Sequence, residues 1–232
     1  MASMSDSAAT TTPVRVWDLP TRLFHWMLAL AVVGAVATAW IGGNTMVLHV
    51  RLGCAVLALL VFRIGWGLFG GRWSRFASFA WGPAAIARYL RGAALPGERF
   101  DIGHNPLGSL SVWALLAILA IQVGTGLFAD DEIATVGPLN PFVATATGLR
   151  LTAWHHGPGQ WIVLTLVALH VAAIAWYRWR RATDLVRPMW SGDKALPVAT
   201  PASVDGLSTR LLALTWALAC AALATWIYRL GG

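Results

Sequence analysis

The sequence predicts an all-α integral membrane protein: a four-helix transmembrane bundle followed by a fifth, C-terminal transmembrane helix. Three observations carry this reading. The 232 residues are 57% hydrophobic and only 12% charged, against about 45–50% and about 25% in an ordinary soluble domain. Five apolar stretches each approach the ~20 residues needed to cross the hydrocarbon core. Basic residues collect in alternate connections, as they do in multi-pass chains. Fourteen tryptophans fit the same picture, because an indole at the bilayer interface buries its ring and keeps its N–H wet.

Taken in order, residues 1–13 are rich in Ser, Thr and Ala and read as a disordered tail. Arg15 and Arg22 then precede the first apolar run, Leu19–Ile41. That run is too long for a signal-peptide core and leads into further spans, so it reads as retained. The second span, 48–70, carries Arg51 and Arg63 towards its ends, where long cationic side chains can snorkel. Residues 71–105 form a long connection expected to hold some order, with Pro83–Arg91 reading as a short amphipathic helix at the membrane surface. The third span covers 106–128, with Asn105 placed to cap it just before Pro106. The connection 129–155 opens on Asp130, Asp131 and Glu132 and reads as a docking surface. The fourth span is 157–177, and residues 14–188 make one bundle domain. A linker at 189–206 leads to an additional helix within 207–232, its span at 207–228.

Orientation follows from the cations. Arg15, Arg22, Arg72, Arg75, Arg88, Arg91, Arg99, Arg178, Arg180, Arg181, Arg187, Lys194 and Arg210 all fall on one side. The connection 42–47 has no charge, and 129–155 sets three acids against Arg150. The expectation is a multi-pass membrane protein with its N-terminus cytoplasmic and its C-terminus on the outer side. The net charge of +7 then serves topology and anionic lipid headgroups. No basic stripe with interleaved aromatics is present, which excludes nucleic acid as a partner. Cys54 and Cys220 lie in apolar runs without metal-ligand spacing, and the absence of C-x-x-C-H excludes covalently attached haem.

The histidines carry the functional signal, because an imidazole inside a span is costly unless it is used. His25 lies some six residues into the first span, and His170 about seven before the end of the fourth, so both sit ~10 Å inside the cytoplasmic boundary. His49 and His156 stand near the outer starts of the second and fourth spans. The depths match as His25 with His170 and His49 with His156. His156 and His170 are fourteen positions apart, ~21 Å along the axis and almost four full turns, so both face the bundle interior. His155 lies ~100° around the helix and is set outside the pair. Each pair can give two axial imidazoles to one haem iron, a ligation suited to electron transfer. A bare metal ion lacks an accompanying carboxylate or thiolate in the membrane. A proton relay lacks an intramembrane acid; a non-redox membrane anchor, its histidines bonding across helices, is the remaining alternative.

The stretches VWDLPTRLFHW (16–26), LHVRLGCAVLALLVFRIGWGLFG (48–70), GHNPLGSLSVWALLAILAIQVGTGLFADD (103–131) and WHH with ALHVAA (154–173) resemble the bacterial cytochrome b561 and Ni/Fe-hydrogenase cytochrome b superfamily. The resemblance spans 14–188. It implies a four-helix bundle with two b haems on His25, His49, His156 and His170. It also implies electron passage between the quinone pool and a periplasmic redox partner, a c-type cytochrome or an oxidoreductase subunit such as a hydrogenase. One branch oxidises superoxide with ubiquinone as acceptor, although the acidic 130–132 run suits a basic protein better than that anion. The fifth span lies outside the four that the resemblance implies. Haem propionates need cations or donors: Arg51 and Arg150 are the candidates on the outer side, and Arg22, Arg63 and Arg75 on the inner side. His104, Asn105 and His155 are the polar residues left near helix ends for a quinone.

Overall fold

A computed structural model describes residues 11–197 and 199–231. Five helical segments are long and apolar enough to cross a membrane. They comprise α1 (Leu19–Ile41), α2 (Met46–Phe69), α4 (Pro106–Gly126), α5 (Thr145–Trp154) running through a turn into α6 (Gln160–Arg180), and α8 (Leu207–Arg229). Two short helices, α3 (Pro83–Arg91) and α7 (Val186–Ser191), lie outside them. The end holding Arg15, Arg22 and the 71–105 connection is called the basic end below, and the opposite one the far end.

Local chemistry explains where the helices start. Asp18 caps α1, its Oδ1 accepting from Thr21 N at 2.8 Å, and the same buried carboxylate accepts from Ser74 Oγ, Gly71 N and Trp66 Nε1. One residue thus satisfies an N-terminal donor of α1 and pins the end of α2 beside it. Asn105 caps α4 by accepting from Gly108 N at 2.7 Å, with Pro106 next, as the sequence predicts. The α3 helix forms over the residues expected and stops at Gly92, whose φ of +67° costs a glycine little.

The core is a seam of Ala31, Val56, Leu60, Ile118, Leu119, Val123 and Val163, drawn from α1, α2, α4 and α6. Outward faces are apolar too: Leu30 is 73% exposed and Trp179 82%, a pattern that suits lipid rather than water. Helix α8 packs on α2, where Ala213 and Cys220 meet Phe24, Phe62 and Trp66. Trp216 Nε1 also donates to the Phe62 carbonyl at 3.1 Å.

Thr11–Pro13, expected within the tail, form strand β1 (Thr11–Arg15) instead; the rest of that stretch lies outside the described residues. β1 runs antiparallel to β2 (Asp193–Pro197), with Thr11 opposite Pro197 and Arg15 opposite Asp193, so the linker is partly a strand. Asp205, its side chain 5% exposed, accepts from Arg15, Arg210 and the Leu19 amide. Burial works against its charge, but the hydrogen bonds from Arg210, Leu19 and Arg15 outweigh it and hold the carboxyl below its usual range. This hub ties the starts of α1 and α8 together at the basic end.

Candidate functional site: two histidine pairs

Two imidazole pairs stand at opposite ends of the bundle. At the basic end, His25 on α1 faces His170 on α6, with ring centroids 6.4 Å apart. At the far end, His49 on α2 faces His155, with centroids 5.9 Å apart. Two imidazoles sharing one metal, each nitrogen ~2.0–2.1 Å away, have centroids about 6.3 Å apart once the ring radius is added. Both separations therefore suit a metal held by two rings. Among the described residues, no group of three or more His, Cys, Asp or Glu side chains is placed to hold a metal ion. The metal that suits such a site brings its own equatorial ligands, as haem iron does.

The ring opposite His49 is His155, where the sequence predicts His156. Helices α5 and α6 meet at a kink over His155–Gly159, where Gly157 leaves helical geometry at φ −94° and ψ −108°. A non-helical residue breaks the helical phase, so counting positions from His170 does not fix which ring of His155 and His156 faces His49; in the structure it is His155. The sequence carried a signal for this in Gly157-Pro158-Gly159: proline removes a ladder donor and pushes its predecessor out of the α region. His156, exposed, borders the same 180 Å³ cavity as His49 and His155.

Backbone carbonyls orient both far-end rings. His49 Nδ1 lies 2.8 Å from Ala35 O and His155 Nδ1 2.8 Å from Gln122 O. A carbonyl only accepts, so each Nδ1 bears the proton and each Nε2 keeps its lone pair free, the arrangement that fixes metal-binding histidines. Gly126 on α4 makes room: a Cβ there would stand 2.6 Å from His155 Cε1. Gln122 Nε2 donates to the His155 carbonyl at 2.8 Å, bracing the turn from its other side.

The basic-end pair is held differently. His25 packs edge-on against Trp26, and its Nδ1 is buried without a hydrogen-bond partner. Arg63 on α2, expected to snorkel, points inward instead. It is 3% exposed, lies 4.6 Å over the Phe76 ring and leaves Nη1 without a partner. Nearby His104 is held between Trp17 and Phe79, its Nδ1 also without a partner. Burial, then the charge of Arg63, push His104 down to about 3, so its ring is neutral at physiological pH.

The remaining expected residues separate by location. Arg22 donates to the Trp190 carbonyl and reaches to within 4.0 Å of Asp205. Arg51 and Arg150 are exposed, and Arg51 borders an apolar 720 Å³ slot between α1, α2 and α8. Arg75 Nε donates to the Gly70 carbonyl. Besides capping α4, Asn105 donates to the Tyr177 hydroxyl, which shares a 2.6 Å hydrogen bond with Tyr89. Burial and that hydrogen bond raise the Tyr89 phenol above its usual value.

A helical, multi-pass membrane protein with a pair of inward histidines near each end is the class these features define. The family model described as prokaryotic cytochrome b561 matches residues 16–192, and the chain belongs to that family. It is similar to a probable Ni/Fe-hydrogenase 1 B-type cytochrome subunit of Escherichia coli K12, 24% identical over 190 residues, covering 67% of this chain and 80% of the relative. The probable Ni/Fe-hydrogenase B-type cytochrome subunits of Azotobacter chroococcum and Cupriavidus necator are each 25% identical. They cover 69% and 68% of this chain and 79% and 77% of their own lengths. No solved structure matches the chain significantly. Helix α8 begins beyond the residues that the family model matches.

Proposed function

We propose that the protein is a di-haem b-type cytochrome carrying electrons between the two sides of a bacterial inner membrane, with the basic end cytoplasmic. One haem b takes His25 and His170 as axial ligands, and the other takes His49 and His155. The carrying observation is the recurrence, at two depths on one bundle, of an imidazole pair at the separation one shared metal requires. His156, predicted from the sequence to fill the fourth position, becomes a neighbour of the far site. The bound groups supply reversible one-electron chemistry. The chain positions them, leaves no axial site open for other ligands and excludes water with the Val56, Leu60, Ile118 and Val123 seam between them.

The electrons pass between the quinone pool, ubiquinone included, and a partner at the far end. The relatives are named as hydrogenase subunits, which supports an oxidoreductase subunit as that partner; a c-type cytochrome is the other candidate. Asp130, Asp131 and Glu132 begin the far-end loop and favour a basic docking face over superoxide as substrate. The reading is tested by reduced-minus-oxidised spectra of the purified protein with haem quantification. Two six-coordinate b haems per chain are expected. A chain without haem absorbance would return it to a non-redox anchor.

A further inference from the structure

At the basic end, buried nitrogen donors stand without acceptors, and they are the nitrogens of a cation and a neutral ring. Arg63 is 3% exposed, with Nη1 unpartnered. Phe76 and Phe79 flank its guanidinium, but no carboxylate among the described residues lies within ion-pair distance. Asp18, the nearby acid, already accepts from Thr21 N, Gly71 N, Ser74 Oγ and Trp66 Nε1. His104 packs on the same Phe79, and its Nδ1 is likewise buried and unpartnered. Arg63 and His104 flank the same Phe79 ring, and charge on Arg63, His170 or His25 is felt at His104. An uncompensated buried cation is strongly unfavourable, so the pocket calls for a ligand that brings negative charge and acceptor oxygens.

We propose that Arg63 and His104 bond the two carboxylates of the haem held by His25 and His170, and that Arg63 holds that haem's midpoint potential up. This rests on the di-haem reading and assigns to each residue a role at one haem only. A fixed cation beside the group favours its reduced form, which carries one positive charge fewer, and a charge-assisted bond to a carboxylate also anchors the group's edge. Neutral His104 serves as an N–H donor, and its ring stays clamped between Trp17 and Phe79.

The test uses full-length protein carrying His155→Ala, which leaves only the basic-end haem to titrate. Adding Arg63→Gln is expected to shift that haem to lower potential or to lose it, while Arg63→Lys keeps it nearer the parent value. His104→Phe preserves the aromatic stack and is expected to change the propionate bending bands in resonance Raman spectra. In protein with intact histidines, Arg63→Gln should leave the far-end haem unmoved. Retention of the basic-end haem at the parent potential in Arg63→Gln overturns the proposal, as does an equal shift of both haems. Should neither Arg63 variant fold, unchanged propionate bands in His104→Phe overturn it. Wild-type protein without haem refutes instead the reading beneath it.

Discussion

The two histidine pairs present nearly the same separation by opposite means. At the far end both rings are tied through Nδ1 to backbone carbonyls, so their aim is fixed by the helices. The arginines expected there, Arg51 and Arg150, are exposed. At the basic end His25 Nδ1 is untied, and Arg63 Nη1 and His104 Nδ1 are likewise buried without partners. On the proposed di-haem reading, one site is preorganised by the chain, whereas the other would complete its polar contacts with its ligand. A bundle with two like histidine pairs can therefore give them different surroundings.

The largest effects separate the sites outright. His170→Ala is expected to lower haem content from about two per chain to about one, removing the basic-end group and sparing the other. His155→Ala should do the same at the far end, while His156→Ala retains both. Haem quantification against protein concentration reads each result; loss of haem in His156→Ala with retention in His155→Ala would sink the far-end pairing. Next in size is Gly126→Val. Its Cβ would meet His155 Cε1 at 2.6 Å, and overpacking of this kind costs about 1–3 kcal/mol. The variant should weaken or empty the far site and leave the basic-end spectrum intact.

How far each region was legible in the sequence follows the physics that builds it. Spans, the Asn105 cap and α3 rest on local patterns of apolarity and capping, and the chain states these directly. The His25–His170 pairing was legible because depth along a helix is nearly linear in residue number. Which ring lies opposite His49 was not legible, because a constant 100° step cannot be carried across the kink at His155–Gly159, where Gly157 before Pro158 leaves helical geometry. Arg63 was visible as an intramembrane cation, but only packing shows it turned towards Phe76 rather than to the surface. The pairing of β1 with β2 joins residues some 180 positions apart, and neither strand alone announces a partner.

Smaller effects test the supports of the basic end. Asp205→Ala removes acceptors from Arg15, Arg210 and Leu19 N; hydrogen bonds to charged groups contribute ~1.5–3 kcal/mol. A lower thermal midpoint is expected, with the far-end haem spectrum unchanged. Because the folded pKa of Asp205 lies below its unfolded value, its contribution is complete above the ordinary carboxylate range. It is lost as pH falls through the folded pKa. Wild-type stability should therefore drop in acid more steeply than that of Asp205→Ala, and parallel curves would remove Asp205 from the account.

The smallest effect is expected at Arg51. It stands two positions after His49, yet it borders the slot against α8 rather than the cavity between His49 and His155. An exposed cation facing lipid and water is screened and free to reorient, whereas the buried guanidinium of Arg63 is neither. Arg51→Gln should leave both haem potentials within error of wild type in a redox titration that resolves the Arg63→Gln shift. A shift of the far-end haem would place Arg51 at that site. The two ends would then differ in how their cations are buried, not in whether a cation is used.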